Sequence, residues 1–344
     1  MNSPIFDNAI GHHDHSQQKS SKKALTAQLL FLLFAIGLLV FFRDQPQFHT
    51  LGIVFVSIVL EAFPFMLLGT LIGGFIEVFI PRETITRFLP ERGWGTVFIA
   101  AAMGMIFPVC ECAIVPVVRR LLKKGVPLSA AIAFLLGGPI VNPLVAASTA
   151  VAYFADWSIV MHRMIFGYSI AVAVGLLMNL FFSKITAVRN EVFSDQNPIN
   201  CGTLCDHREP AALGEKIHLA VGHAANDFFD IGKFLVIGAF FAAVAQTLVP
   251  RQVFAAVTNT PALSILIMMA MAIVLNLCSE ADAFVAASFR SARMPLPAQL
   301  AFMILGPMLD IKLIIMYFNV FRLRAIVTLA ALVFLMVFLS MVLL

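Results

Sequence analysis

Long, nearly uninterrupted apolar runs alternate with short polar stretches along the whole chain. The runs fall at about 24–42, 51–80, 94–118, 128–153, 158–182, 231–249, 262–289, 296–318 and 325–344. A helix of roughly 20 apolar residues crosses the hydrocarbon core of a bilayer, and in that core only helices or closed barrels satisfy the backbone. The pattern therefore predicts an all-α, polytopic transmembrane helical bundle. Runs 51–80 and 262–289 exceed one straight crossing, so tilt, breaks or re-entrant pieces are expected in them. One long polar stretch, 183–227, divides the chain.

The two parts repeat each other. Residues 110–145 read CECAIVPVVRRLLKKGVPLSAAIAFLLGGPIVNPLV and residues 278–313 read CSEADAFVAASFRSARMPLPAQLAFMILGPMLDIKL. The offset is a constant 168 residues and ten positions are identical, among them Cys110/Cys278, Pro127/Pro295, Phe134/Phe302 and Gly138-Pro139/Gly306-Pro307. Upstream, 63–83 parallels 232–252 at offset 169, with Phe65/Phe234 and Gly69/Gly238 coinciding and Glu61 opposite Asp230. The expected organisation is a polar tail and first membrane helix (1–50), a first repeat unit (51–182), a polar linker (183–227) and a second repeat unit (228–344). Duplication of this kind is typical of secondary transporters, whose site lies between the units near the midplane. Four spans per unit would make the units parallel and put the basic clusters Arg119, Arg120, Lys123, Lys124 and Arg290, Arg293 on one face, which the positive-inside rule makes cytoplasmic. A single re-entrant segment per unit would invert them.

Composition sharpens this picture. The chain is 60% hydrophobic and 12% charged, with mean hydropathy +0.94, against about 25% charged for soluble domains. A net charge of +4 spread over many loops does not suggest a nucleic-acid surface. Three of the five cysteines lie inside apolar runs, which argues against a secreted disulfide framework. Lys19, Lys22 and Lys23 precede the run 24–42, but no small-residue cleavage site follows, so this run reads as an anchor helix and not a removed signal. No nucleotide-binding loop or hydrolase motif is present, so ATP-driven pumping by this chain alone is not expected.

The candidate chemistry lies at the polar residues inside apolar sequence. Cys110, Glu111 and Cys112 stand between Pro108 and Pro116. An acid at mid-membrane costs roughly 2.5–3.5 kcal/mol on insertion scales, so it is normally turned inward and used. Thiols are soft donors for thiophilic species. In the second copy Cys278 persists while Cys112 becomes Glu280, and Asp282 follows. Two unpaired acids there would be expensive, so either a basic partner such as Lys312 or a role in ion transfer is expected. The pairs Gly138-Pro139 and Gly306-Pro307 imply broken or re-entrant helices whose ends can hold ions or polar solute groups. Asn142 and Asp310 follow them, readable as helix caps or as site-lining groups. HHDH at 12–15 reads as a metal chelator or an incidental tail, and the linker's Cys201 and Cys205 with His207, His218 and His223 could capture a soft metal, although their spacing is not that of a zinc finger.

The order FPVCEC…P…RR…GVPLSAA…F…GGPIVNP, repeated in weaker form, resembles the bacterial predicted-permease family that includes the organoarsenical efflux permeases. The resemblance covers roughly 50–320. It implies an integral inner-membrane permease and, for the characterised branch, export of trivalent organoarsenicals, which bind thiolates; Cys110 and Cys112 match the family's Cys-x-Cys segment. The expected function is a multi-pass secondary permease in the bacterial inner membrane, not an enzyme. Its partners are the lipid bilayer, a small-molecule solute and candidate driving protons, with no nucleic acid and no cofactor. The expected pathway is lined by Cys110, Glu111, Cys112, Gly138, Pro139, Asn142, Cys278, Glu280, Asp282, Gly306, Pro307 and Asp310. The alternatives are a membrane thiol oxidoreductase or metal-handling protein, and a channel or assembly scaffold.

Overall fold

A computed structural model describes residues 46–79, 94–106, 110–189, 192, 213–248, 260–290 and 294–344. The first anchor run 24–42, the His-rich tail and the linker cysteines lie outside the described residues. The chain forms two compact units, Met1–Ile53 and Val54–Leu344; the described part of the first is helical, and the second holds everything that follows.

The described residues carry thirteen α-helices. α1 is Pro46–Phe79, α2 Trp94–Ala102, α3 Glu111–Lys123, α4 Leu128–Gly137, α5 Pro143–Ala152, α6 Trp157–Phe181 and the short α7 Lys184–Ala187. α8 is Leu213–Leu248, α9 Pro261–Leu275, α10 Asp282–Ser288, α11 Leu296–Met308, α12 Ile311–Tyr317 and α13 Leu323–Val342. Among the described residues, five stretches are long and apolar enough to cross a membrane: Thr50–Phe79, Trp157–Phe181, Lys216–Thr247, Leu296–Tyr317 and Leu323–Val342. The molecule is an all-α membrane bundle. Four of the five have only 17–39% of their most apolar window buried, whereas Leu296–Tyr317 has 83%. The broken pair α11–α12 is thus the most enclosed of the five, and the other four leave most of their apolar surface uncovered by the described residues.

The breaks fall where sequence chemistry places them. The run 128–153 is two ten-residue helices, each about 15 Å long and so half a membrane deep. Gly138 to Asn142 separates them, and the Asn142 side chain accepts the amide of Leu144 at 2.9 Å. The run 296–318 breaks the same way: Asp310 Oδ1 accepts the Leu313 amide at 2.6 Å and starts α12. The capping reading of Asn142 and Asp310 is therefore realised. The run 262–289 ends α9 at Asn276, which adopts φ 53°, a left-handed conformation that asparagine tolerates better than most residues. The run 94–118, expected as one segment, is divided: α2 passes into a 3-10 turn at Met103–Met105, and α3 starts afresh at Glu111. Pro116 sits inside α3 and Pro307 inside α11, so neither proline is itself the break. α8 begins at Leu213, inside the stretch that reads as linker.

α1 and α8 run antiparallel. Phe55 packs edge-on to Phe240 at 6.3 Å and Phe63 to Phe228 at 5.0 Å, while a Cβ on Gly74 would lie 2.4 Å from the Ala220 carbonyl oxygen. Numbers rise along one helix as they fall along the other. These are the helices that the sequence repeat equates, and they run in opposite directions.

Candidate functional site

Cys110, Glu111 and Cys112 form the entry to α3, with Cys110 in extended conformation at its N-cap and Glu111 in the first turn. A carboxylate there is favoured by the helix dipole. Gly69 of α1 brings that turn close, because a Cβ at this position would stand 2.3 Å from the Ala113 carbonyl oxygen. From the other half, the 276–281 segment and α12 bring Cys278, Ser279, Glu280, Asp310 and Lys312 to the same place.

The two halves are joined there by buried polar bonds. Lys312 Nζ lies 3.1 Å from Glu111 Oε1 and 3.6 Å from Asp310 Oδ2. Ser279 Oγ lies 3.4 Å from Glu111 Oε2 and 3.3 Å from Glu280 Oε2. The Lys312 amide donates to Asn276 Oδ1 at 3.3 Å, so the left-handed residue ending α9 also holds α12. Glu111, Ser279, Asp310 and Lys312 are at most 4% exposed. The partner of Lys312 is thus Glu111, not the Glu280 that sequence order suggests.

Behind this cluster stands Arg163, in the middle of α6 and fully buried. Its Nη2 lies 2.9 Å from Asp282 and 2.9 Å from the Ser279 carbonyl oxygen, and its Nη1 donates to Thr149 Oγ1 at 2.8 Å. Nη2 also donates to the Met303 carbonyl oxygen at 3.1 Å. Arg163 therefore neutralises Asp282 and fixes the backbone that carries Ser279. Sequence reading missed this residue, although one arginine inside an apolar span is itself a functional signal.

Ile58, Glu61, Ala62, Phe65, Cys110, Glu111, Cys112, Cys278, Glu280 and Lys312 line one narrow pocket. The structure thus brings the expected Cys110, Glu111, Cys112, Cys278 and Glu280 together, with Asp310 against Lys312 and Asp282 one contact deeper. Gly138 and Asn142 have other work here. A Cβ on Gly138 would stand 2.4 Å from Ile114 Cδ1, so it is a packing position, and Asn142 caps α5. Gly306 lies near Asp282, 3.9 Å from a built Cβ to Oδ2, while Pro139 and Pro307 are buried beside the two breaks. The pocket offers room for about one water-sized sphere, so this is a constricted conformation, and a larger solute needs it wider. Cys110, Cys112 and Cys278 are free thiols. Among the described residues no group of three His, Cys, Asp or Glu is placed to hold a metal ion.

A second charged cluster lies at the far end of α3. Arg120 Nε donates to Asp227, and Arg120 Nη1 stands 3.6 Å from Glu77. Arg119 lies 3.5 Å from Asp227 and 3.7 Å from Asp230. Lys124 Nζ donates to the Glu77 carbonyl oxygen at 2.7 Å. This cluster ties α3 to the C-terminal end of α1 and the N-terminal half of α8.

Comparison with known proteins agrees with this architecture. A family model described as a predicted permease, ArsP_1, matches residues 47–344. The UPF0718 protein YcgR of Bacillus subtilis is 38% identical over 280 residues, covering 81% of this chain and 92% of its own. A putative two-component membrane permease complex subunit of Streptococcus mutans is 37% identical over 269 residues, covering 78% and 86%. The UPF0718 protein YraQ of Escherichia coli is 24% identical over 111 residues, 32% of each chain. No solved structure matches the chain.

Proposed function

From its membership in the predicted-permease family, to which this chain belongs, we propose that it is a secondary permease moving a small thiophilic solute through the pocket around Glu111. The membrane setting is firm: this is a multi-pass protein of the bacterial membrane. The observation that carries the transport reading is the meeting of both halves at one buried, polar, constricted pocket. A structural core has no need of four carboxyl groups, the buried Glu111, Asp282 and Asp310 and the half-buried Glu280, around two cations, Lys312 and Arg163. Such a surplus is costly in a membrane unless protons or cations visit it. Three thiols at the same place suit a soft solute, of which trivalent organoarsenicals are the leading class. Export driven by the proton gradient is the direction and coupling that fit.

Resistance and flux test this. Cells expressing the chain are expected to survive higher concentrations of a trivalent methylated arsenical, and everted vesicles to accumulate it. Cys110→Ser with Cys112→Ser should lower both at least about tenfold, the weight of about 1.4 kcal/mol of lost soft-ligand binding. No resistance and no accumulation in wild type would remove that solute class. The Streptococcus mutans relative is named as a complex subunit, which supports a partner subunit beside this chain as well. Co-purification of a second chain with this one from native membranes is the result expected, and a chain that always purifies alone would count against such a partner.

A further inference from the structure

The three thiols of the pocket lie at different depths. Cys112 is 2% exposed and Cys110 8%, while Cys278 is half-buried. On the opposite wall, Ile58, Glu61, Ala62 and Phe65 of α1 line the same pocket. Residues at this spacing share one helix face. Within that face Ile58 and Ala62 are buried, whereas Phe65 is 47% exposed and Glu61 is exposed too. The buried edge packs against the bundle, and the exposed edge forms the rim of the pocket. Glu61 stands near the middle of the apolar stretch Thr50–Phe79. A carboxylate exposed at that depth is expensive against hydrocarbon, so its place is at an opening that water or a solute reaches.

The Cys278 thiol donates a hydrogen bond to the Glu61 carboxylate. A thiol is a weak donor, and an acceptor on one side fixes which way it points. The acid at the matching place in the second unit, Asp230, is held by Arg119 and Lys233 instead. An acid at this position of the repeat therefore does not by itself call for a thiol partner.

We infer that Cys278, aimed by Glu61, is the entry ligand of the pocket, taking a soft solute at the rim and passing it inward to Cys110 and Cys112. This deepens the reading of the chain as a permease for thiophilic solutes and rests on it. The chemistry balances for a trivalent arsenical carrying two hydroxyls. As the Cys278 sulfur bonds to arsenic, one arsenic–oxygen bond breaks, and the thiol proton leaves with the hydroxide as water. In the hand-over the Cys112 sulfur bonds to arsenic, the bond to Cys278 breaks, and the incoming thiol's proton goes to the departing sulfur. Cys110 then displaces the second hydroxide, again as water. Arsenic stays trivalent throughout. The inner pair holds the solute more tightly than the single bond at the rim, because its second bond forms within one molecule at high effective concentration. Glu61 is a positioning residue and exchanges no bond with the solute.

Thiol-protection time courses test this without any flux. The purified full chain in phosphatidylcholine vesicles is mixed with phenylarsine oxide. Samples are stopped with maleimide in denaturant, and the fraction still free at each cysteine is read by mass spectrometry. In wild type, Cys278 should be protected first and become free again as Cys110 and Cys112 are protected. Cys278→Ser should slow protection of the inner pair about tenfold and leave its final extent unchanged, because an entry ligand lowers a barrier and not an equilibrium. Glu61→Leu should slow protection of Cys278 by about threefold to tenfold, the weight of one hydrogen bond. Glu61→Gln, whose amide oxygen still accepts, should stay close to wild type. Inner thiols protected with no earlier protection at Cys278 overturn the inference. So does a Cys278 that stays protected, since that makes it a permanent ligand. Glu61→Leu at the wild-type rate, or Glu61→Gln as slow as Glu61→Leu, removes the positioning role and overturns the inference as stated. Should Cys278→Ser not fold, the wild-type time course and Glu61→Leu decide. Failure of the permease reading shows separately, as absent accumulation by everted vesicles.

Discussion

Arg163 shows how much one side chain can carry in a membrane interior. It reaches Asp282, Thr149, the Ser279 carbonyl and the Met303 carbonyl from a fully buried position. Removing one partner of such a pair leaves a bare buried charge, a loss of about 3–5 kcal/mol. Arg163→Met should therefore unfold in detergent at markedly lower temperature than wild type. The double change Arg163→Met with Asp282→Leu should recover most of that loss, because a buried ion pair and an apolar pair of similar size are often equally stable. A thermal melt of the three proteins checks this; equal melting of the single variant and wild type would show that the pair contributes nothing. The thiols act on the same scale. Cys110 and Cys112 were visible as a motif, and the 168-residue offset of the repeat put Cys278 in the same expected site; all three line one pocket.

At the scale of elements, close helix contacts set the site's geometry. The Cβ that alanine adds at Gly69 would meet backbone at 2.3 Å, and backbone cannot step aside cheaply, whereas at Gly95 it meets nothing within 4 Å. Gly69→Ala should cost about 1–3 kcal/mol through overpacking, while Gly95→Ala, inside α2, should be neutral or stabilising by about 0.4–1 kcal/mol. The fraction of monodisperse protein after detergent extraction separates the two, and equal behaviour would refute the close approach of α1 and α3. The broken helices were legible in sequence because glycine-proline pairs, Asn142 and Asp310 punctuate runs that hydropathy alone would draw as straight spans. Before α3, Pro108 is the signal that the apolar run does not continue as one helix into Cys110. The pairing of Lys312 with Glu111 was hidden. Glu280 is closer in sequence, and only the fold decides which acid an amine reaches.

For the whole molecule, the repeat was legible but its direction was not. Counting spans by hydropathy treats each broken helix pair as one crossing and so expects the equated helices α1 and α8 to run parallel; they pack antiparallel. Reporter fusions decide between the two. The C-terminal end of α1 and the N-terminal half of α8 share the Arg120–Glu77–Asp227 cluster. Fusions after residue 80 and before residue 212 should therefore report one side of the membrane, and a fusion after residue 249 the other. Fusions after 80 and after 249 reporting the same side would restore the parallel arrangement. The proposed pathway is the pocket around Glu111, where residues of both parts of the chain meet. The measurement that bears most directly on this is accumulation of a trivalent methylated arsenical by proteoliposomes holding the full chain under an imposed pH gradient. Wild type should concentrate the compound, lose it on addition of an uncoupler, and fall to the protein-free level in Glu111→Gln. Accumulation by Glu111→Gln at the wild-type rate and with the same uncoupler response would contradict a pathway governed by Glu111 and Lys312.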